Sequence, residues 1–389
     1  MRDLDVTIGP ALVNDMAPAL QVLFEAGRWY CGQANAIAQR VIKRSLPAGG
    51  RAPFVPVLAQ VMRSLMQLPP ELAGEVAELQ RRLADVLADS KPSTVGARAA
   101  AVFADRRPAW RHGRFQSTDL QIAARDEAAV AAGEFLAVIG DVHPGANPLA
   151  QAALANRHPD PPAMLRSIVN VVGRGVPVLL PPYGPGLGVD ARTAPVTPDG
   201  GVYIAALPDT RAGESQRTWL PDELFVEAGD LVDRRGQLRV PLLEVFWLPI
   251  FTFTAALGAF DLSPDQPHAP RVTVGRTVLR RESWTVPARD VPQRAQEVPS
   301  FARDRGMPRR VFTKSPLERK PMYLDIDSPA LARILCRQAR HAAAAAPATQ
   351  IRLTEMLRTP EQCWLQDPDG QRYVSELRIV AVDQNVRQA

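Results

Sequence analysis

The sequence predicts an α+β fold, with a helical N-terminal region followed by mixed, largely antiparallel β-sheets with packed helices. Three observations carry this. Apolar positions recur at helical spacing over the first ninety residues. Beyond residue 200 apolar and polar residues alternate at the two-residue period of strands. Between these regions lie short strand and helix segments that end in a run dense in proline and glycine. A chain of 389 residues with 46% hydrophobic content is long enough for two or three lobes and apolar enough for a real core.

The elements follow in order. The first region, 1–90, opens with residues 10–44, which have helical spacing interrupted by Pro18 and Gly27 and so predict two helical pieces. A second helical pair is expected at 53–66 and 70–89, where ELAGEVAELQRRLADVLAD keeps its charges on one face. After a loop at SKPST, the second region, 91–200, predicts strands at 119–123 and 134–139 and a helix at 161–172. The run VPVLLPPYGPGLGVDARTAPVTPDGG reads as a long ordered loop or an exposed edge, in a chain whose 37 prolines are about twice the usual share. The third region, 201–389, contains LFVEAGDLVDRRGQLRVPLLEVF and RVTVGRTVLRRESWTV, which alternate like antiparallel strands joined by turns such as Arg235-Gly236. A helix at 300–305, a charged hairpin and a helix at 329–346 follow. A strand pair around Pro368-Asp369-Gly370 completes the chain.

Composition narrows the function classes. Among 46 basic residues only Lys43, Lys91, Lys314 and Lys320 are lysines, so the net charge of +5 is carried by arginine, whose planar fork pairs with phosphates and carboxylates. A high-GC genome produces the same arginine and alanine bias, and the charge permits an anionic partner without demanding one. Cys31, Cys336 and Cys363 form no CxxC pair, which supports neither a zinc site nor a disulfide framework and fits a reducing cytoplasm. MRDLDVTIGPAL lacks the apolar stretch of a signal peptide, and the run at 245–260 is too short and interrupted to span a bilayer; it reads as buried core. No HExxH, GxSxG or P-loop is present, so metal-dependent and ATP-dependent chemistry have no motif behind them.

Three places offer site residues. Residues 309–329 read RRVFTKSPLERKPMYLDIDSP: alternation puts Asp325 and Asp327 on one face, while Arg309, Arg310, Lys314, Arg319 and Lys320 crowd one side of a turn. The alternative is a solvated hairpin that closes on a helix N-cap at Ser328-Pro329. His143 follows the apolar strand FLAVIG, with Asp141 and Asn147 near it, where polar groups of a site often emerge; a lone histidine there also serves as a turn residue. In HAPRVTVGRTVLRRESWTV, Arg276 and Arg280 are expected on one strand face with Trp284 further along. Such a row grips phosphates or stacks on bases, or simply keeps a sheet edge soluble.

STDLQIAARDEAAVAAGEFLAVIGDVHPGAN, PLLEVF, PRVTVGRTVLRRESW, PRRVFTKSPLERKPMYLDIDSP and TEMLRTPEQCWLQDPDGQRYVSELRI, in that order, resemble the lantibiotic dehydratases. The resemblance runs from about residue 10 to the end and corresponds to the later part of that family's large N-terminal glutamylation domain. It implies that the three regions form one such domain, and that glutamate from glutamyl-tRNA is esterified onto Ser or Thr of a precursor peptide before elimination. Glutamyl-tRNA would be the co-substrate and no other cofactor would be needed. Carried over where motifs match, Arg271, Arg276, Arg281 and Lys320 become candidates for holding the tRNA acceptor end, and His143 and Asp325 for proton handling. Family members are longer. The resemblance therefore implies a shortened or split enzyme, with a partner chain carrying the opening part of the glutamylation domain and the elimination domain. A non-catalytic accessory that binds precursor peptide or a partner enzyme, and an aminoacyl-tRNA-dependent peptide ligase, remain the alternatives.

Overall fold

The computed structural model describes residues 6–66, 70–105, 115–144, 158–160, 163–164, 177–180, 202–205, 217–245, 266–318 and 320–382. Its first layer is built on one helix, Pro10–Ser45, with Pro18 in its interior. The expected break into two pieces does not occur. An interior proline costs about 3 kcal/mol. Met16, Ala19, Leu20, Val22 and Leu23 are buried on either side of it, at about 1.5–3 kcal/mol for each large side chain, and that outweighs the penalty. Gly27 is buried in the same helix among Ala26, Trp29 and Tyr30.

Helices Phe54–Met66, Pro70–Leu87 and Pro92–Val102 pack against the long one. The first two fall where the spacing predicts them. The third replaces the loop expected at SKPST: Lys91 is extended at the N-cap and Pro92 occupies the first helical turn, where its missing N–H costs nothing. Its alanine-rich sequence gives almost no apolar contrast for a periodicity to register. Trp29, Tyr30, Phe54, Phe103, Leu72, Leu79 and Leu83 are fully buried in this part of the core.

The long helix lies against a five-stranded central sheet in the order Val272–Val274, Thr277–Arg280, Leu136–Pro144, Phe115–Ala123, Leu377–Val382. Its pairings are antiparallel except that Thr277–Arg280 runs parallel to Leu136–Pro144. The strands expected at 119–123 and 134–139 are thus longer or shifted. Buried Gln116, Ser117 and Thr118 extend the first without any apolar alternation.

A second sheet, fully antiparallel, has the order His268–Ala269, Ser283–Pro287, Gln350–Glu355, Arg310–Lys314, Met322–Asp325. The helix Pro329–Ala345 and the shorter Val298–Arg303 cover one face, with Trp284, Val286, Val311, Leu324, Leu335, Ala339, Ile351 and Leu353 in the core between. The charged hairpin forms as expected, with Arg310 opposite Asp325. Ser328 caps the next helix by accepting from the Leu331 N–H. The expected terminal strand pair does not form. Gln350–Glu355 is central in this sheet, whereas Leu377–Val382 crosses to the edge of the other. Asp369-Gly370 closes only the small hairpin Leu365–Gln366 with Arg372–Tyr373.

A third, antiparallel sheet joins Arg51–Pro53, Leu224–Glu227, Asp230–Asp233 and Arg239–Pro241, with Ala228 (φ 51°) and Gly229 (φ 97°) making one tight turn. Three short parallel strands, Pro177–Leu180, Val202–Ala205 and Arg217–Trp219, form another. The run read as a long ordered loop or an exposed edge therefore begins with a strand, Pro177–Leu180. The remainder of that run, the bulk of the helix expected at 161–172 and the apolar run at 246–260 lie outside the described residues. Among the described residues, no helix is long and apolar enough to cross a membrane.

Candidate anion-binding site

The chain passes between the central and second sheets twice at one place. Arg281 and Glu282 link strand Thr277–Arg280 to Ser283–Pro287, and residues 355–358 leave the second sheet beside them. The two crossings are stitched by backbone. The Glu355 N–H donates to the Glu282 carbonyl at 3.0 Å, and the Glu282 N–H donates to Glu355 Oε1 at 2.7 Å. Leu357 packs with Val138 and Val278 below the junction. The Met356 N–H donates to the Arg310 carbonyl at 3.0 Å, which brings the charged hairpin alongside.

Arginine collects at this junction. Buried Glu355 accepts from Arg271 through both oxygens, Nε at 2.8 Å and Nη2 at 2.5 Å, a fork-to-carboxylate geometry that raises the arginine's proton affinity further. Buried Arg280 donates to the Pro270 carbonyl at 2.7 Å. Arg281 is half-buried, and its fully shielded Nε finds no hydrogen-bond partner among the described residues. Arg358 is 9% exposed in a left-handed backbone conformation (φ 57°); its Nη1 reaches the Ser375 carbonyl at 3.4 Å, and its Nε is also unmatched. Burial pushes the proton affinity of Arg281 and Arg358 down. At Arg281 the nearby Glu355 opposes that shift and Arg358 adds to it, and at Arg358 Cys363 and Glu376 oppose it. Glu282 is held on the other side by His268 at 2.7 Å, whose ring stacks on Trp284 with centroids 5.4 Å apart. Cationic groups thus outnumber the carboxylates that face them.

The structure brings together Arg271 and Arg281, while Arg276 and Asp325 are engaged in ion pairs of their own. Arg276 does not share a strand face with Arg280, because the turn at Gly275 breaks the segment into a hairpin. Arg276 pairs with Asp15 of the long helix and lies over Phe135, 5.7 Å from the ring centroid. Trp284 belongs to the second sheet and points into its core. In the hairpin, Asp325 accepts from Arg309 Nε and Nη2 at 2.9 and 3.0 Å and from the Asp327 N–H at 3.1 Å. The Arg309 guanidinium holds the Asp325 carboxyl below the usual range. Arg310 is tied to Glu361 at 2.7 Å, while Lys314 and Lys320 are exposed. His143 lies within strand Leu136–Pro144, opposite Ser117, and not after it; its side chain falls outside the description. Glu355 and Arg358 were not nominated from the sequence. The signal for Glu355 was present: in QIRLTE it continues the inward phase of Ile351 and Leu353, a charge where the period calls for an apolar residue. Cys31, Cys336 and Cys363 are all buried and unpaired, and no group of residues suited to a metal ion occurs among the described residues.

Two solved structures share this fold. The glutamylation domain TbtB from thiomuracin biosynthesis, bound to 5'-phosphodesmethylglutamycin, superposes with a TM-score of 0.51 at 19% identity, covering 95% of this chain and 50% of that one. A second structure of that domain gives 0.51 at 20%, covering 96% and 50%. The tRNA-dependent lantibiotic dehydratase MibB from Microbispora sp. 107891 matches at 17% identity over 74% of this chain and 33% of its own, with a TM-score of 0.43. The chain therefore spans about half the length of the solved glutamylation domains it matches, and has their fold. Residues 253–335, which hold Arg271, Arg276, Arg281, Lys320 and Asp325, match the family described as lantibiotic dehydratase, N terminus. The matched segment contains two of the ordered motifs that carry the resemblance to the lantibiotic dehydratases, PRVTVGRTVLRRESW and PRRVFTKSPLERKPMYLDIDSP. No curated protein matches the sequence.

Proposed function

We propose that this protein contributes to glutamyl-tRNA-dependent glutamylation of Ser or Thr in a ribosomally made precursor peptide, in the manner of the lantibiotic dehydratases it resembles. The observation that carries the reading is the arginine-rich junction, whose Arg271, Arg280 and Arg281 lie in the segment that matches the family and whose Glu355 and Arg358 lie beyond it. In the transfer, the peptide hydroxyl oxygen forms an ester bond to the glutamyl carbonyl carbon as the bond to the tRNA ribose oxygen breaks. The hydroxyl proton must leave and an oxyanion develops in between, so fixed cations are useful on both counts. Arg271, Arg276, Arg281 and Lys320 would hold acceptor-end phosphates, with His143 or Asp325 handling the proton. The aminoacyl-tRNA serves as co-substrate without a further cofactor, which places the work in the cytoplasm.

The test is transfer of labelled glutamate from glutamyl-tRNA to a candidate peptide, with and without the product of a neighbouring gene. Absence of transfer in both conditions defeats the proposal. A second reading, a non-catalytic accessory that binds precursor peptide or a partner enzyme, is favoured by the engagement of Arg271, Arg276 and Asp325 in ion pairs. Binding of tRNA that weakens steeply with salt supports the first reading, and binding that is weak and flat with salt supports the second.

A further inference from the structure

The junction between the two sheets has more buried hydrogen-bond donors than acceptors. Among the described residues, Arg281 Nε and Arg358 Nε are both shielded from solvent and have no hydrogen-bond partner. The Ser375 hydroxyl, on the residue whose carbonyl meets Arg358, is a third buried polar group without a partner. Glu355, the carboxylate that offsets Arg281, has both oxygens taken by Arg271 and the Glu282 N–H, and Glu376, which offsets Arg358, is exposed and pairs with Arg378. Glu282 faces His268. A buried guanidinium N–H left without a hydrogen-bond partner costs about 1–3 kcal/mol, and such groups persist where something accepts from them.

We propose that Arg281, Arg358 and Ser375 form an internal oxyanion site at the crossover between the central and second sheets, taking one phosphate or carboxylate group. The Nε of a guanidinium, with its adjacent Nη, presents parallel N–H donors to two oxygens of such a group, and a hydroxyl adds a third direction. The mutual repulsion of Arg281 and Arg358 is relieved when an anion lies between them. Arg358 is set in place by its left-handed backbone and Arg281 by the stitched backbone of the crossing, so the donors are positioned before the ligand arrives. The proposal rests on the glutamylation reading only for the source of the anion: a tRNA phosphate in one case, a glutamate carboxylate in the other.

The experiment uses the full chain without tRNA or peptide. Thermal unfolding and titration calorimetry are run with sodium phosphate, sodium glutamate and sodium chloride at equal ionic strength. A saturable rise in melting temperature with phosphate or glutamate, absent with chloride, is expected. Response to phosphate alone assigns the site to a phosphate source, and response to glutamate alone to a carboxylate. Arg281→Met and Arg358→Met should each weaken the anion by about tenfold or more, the usual worth of a charged hydrogen bond. In chloride Arg281→Met should melt no lower than the parent, because it removes a buried N–H that has no acceptor while Glu355 keeps Arg271 as its partner. Arg281→Lys keeps the charge without the fork and should fold normally with weakened binding. No anion-specific rise, or an unchanged rise in the Arg281→Met/Arg358→Met double variant, overturns the proposal. Glutamyl transfer without an anion response sinks the site and leaves the transfer reading standing; an anion response without transfer does the reverse.

Discussion

Glu355→Gln tests the charge balance at the junction most directly. The side chain is buried, accepts two bonds from Arg271 and one from the Glu282 backbone, and is the carboxylate that offsets Arg281. Glutamine keeps the shape and one acceptor oxygen, and replaces the other with an amide NH2, a donor facing a guanidinium. Breaking a fully buried pair costs about 3–5 kcal/mol. The Arg271 side chain is 35% exposed and can turn to water, so the expected loss is nearer about 2–3 kcal/mol. With an unfolding entropy of about 2.1 cal/mol/K per residue over 389 residues, that corresponds to a drop of about 3 °C in melting temperature. Urea unfolding followed by tryptophan fluorescence reads the free energy, since Trp284 sits in the core beside the junction. Adding Arg281→Met to Glu355→Gln should restore about 1 kcal/mol or more, because the cation left without its offset is gone. A loss under about 0.5 kcal/mol, or strictly additive behaviour of the two substitutions, would refute the argument that Glu355 is the counter-charge of this cluster.

Other outcomes follow from the fold. Leu335 has no exposed surface in the core under the helix Pro329–Ala345, so Leu335→Ala should cost about 2–5 kcal/mol in a urea titration. Ala228 adopts φ 51° in the two-residue turn that ends at Gly229; Ala228→Asn creates the Asn-Gly pair suited to that turn and should raise stability by about 0.5–1 kcal/mol by thermal unfolding. Arg310 holds the Glu361 carboxyl down at about 2 from its ordinary 4.5. Because the folded value is the lower one, this contribution is present above pH 4.5 and is lost as pH falls toward 2. Stability measured across that window should fall less steeply in Glu361→Gln than in the parent.

Periodicity carries information only where the two faces of an element differ. It located the helices at 54–66 and 70–87 and the charged hairpin, where apolar and charged positions contrast sharply. It failed on Pro92–Val102, whose small residues offer no contrast, and on Gln116, Ser117 and Thr118, polar residues buried in a strand. Pro18 was given the weight it has in an isolated helix, which packing on both sides overrode. The final strands were paired with each other because they are neighbours in sequence, although each has its own sheet to join. At the junction, Arg271 and Arg281 were legible as arginines beside a strand. Their relation to Glu355 and Arg358 was not, since it spans more than seventy residues of chain and rests on two crossings that no local pattern reports.

The order of strands in the central sheet also sets a schedule for folding. Phe115–Ala123 and Leu136–Pro144 are neighbours in sequence and can pair as soon as both have been synthesised. The parallel partner Thr277–Arg280 and the antiparallel partner Leu377–Val382 arrive much later. Until then both edges of that early hairpin expose unpaired N–H and C=O groups, a template for pairing with the wrong strand. The long search needed to close such distant contacts slows folding, so the helical layer on Pro10–Ser45, complete early, is what shelters one face of the nascent sheet while it waits.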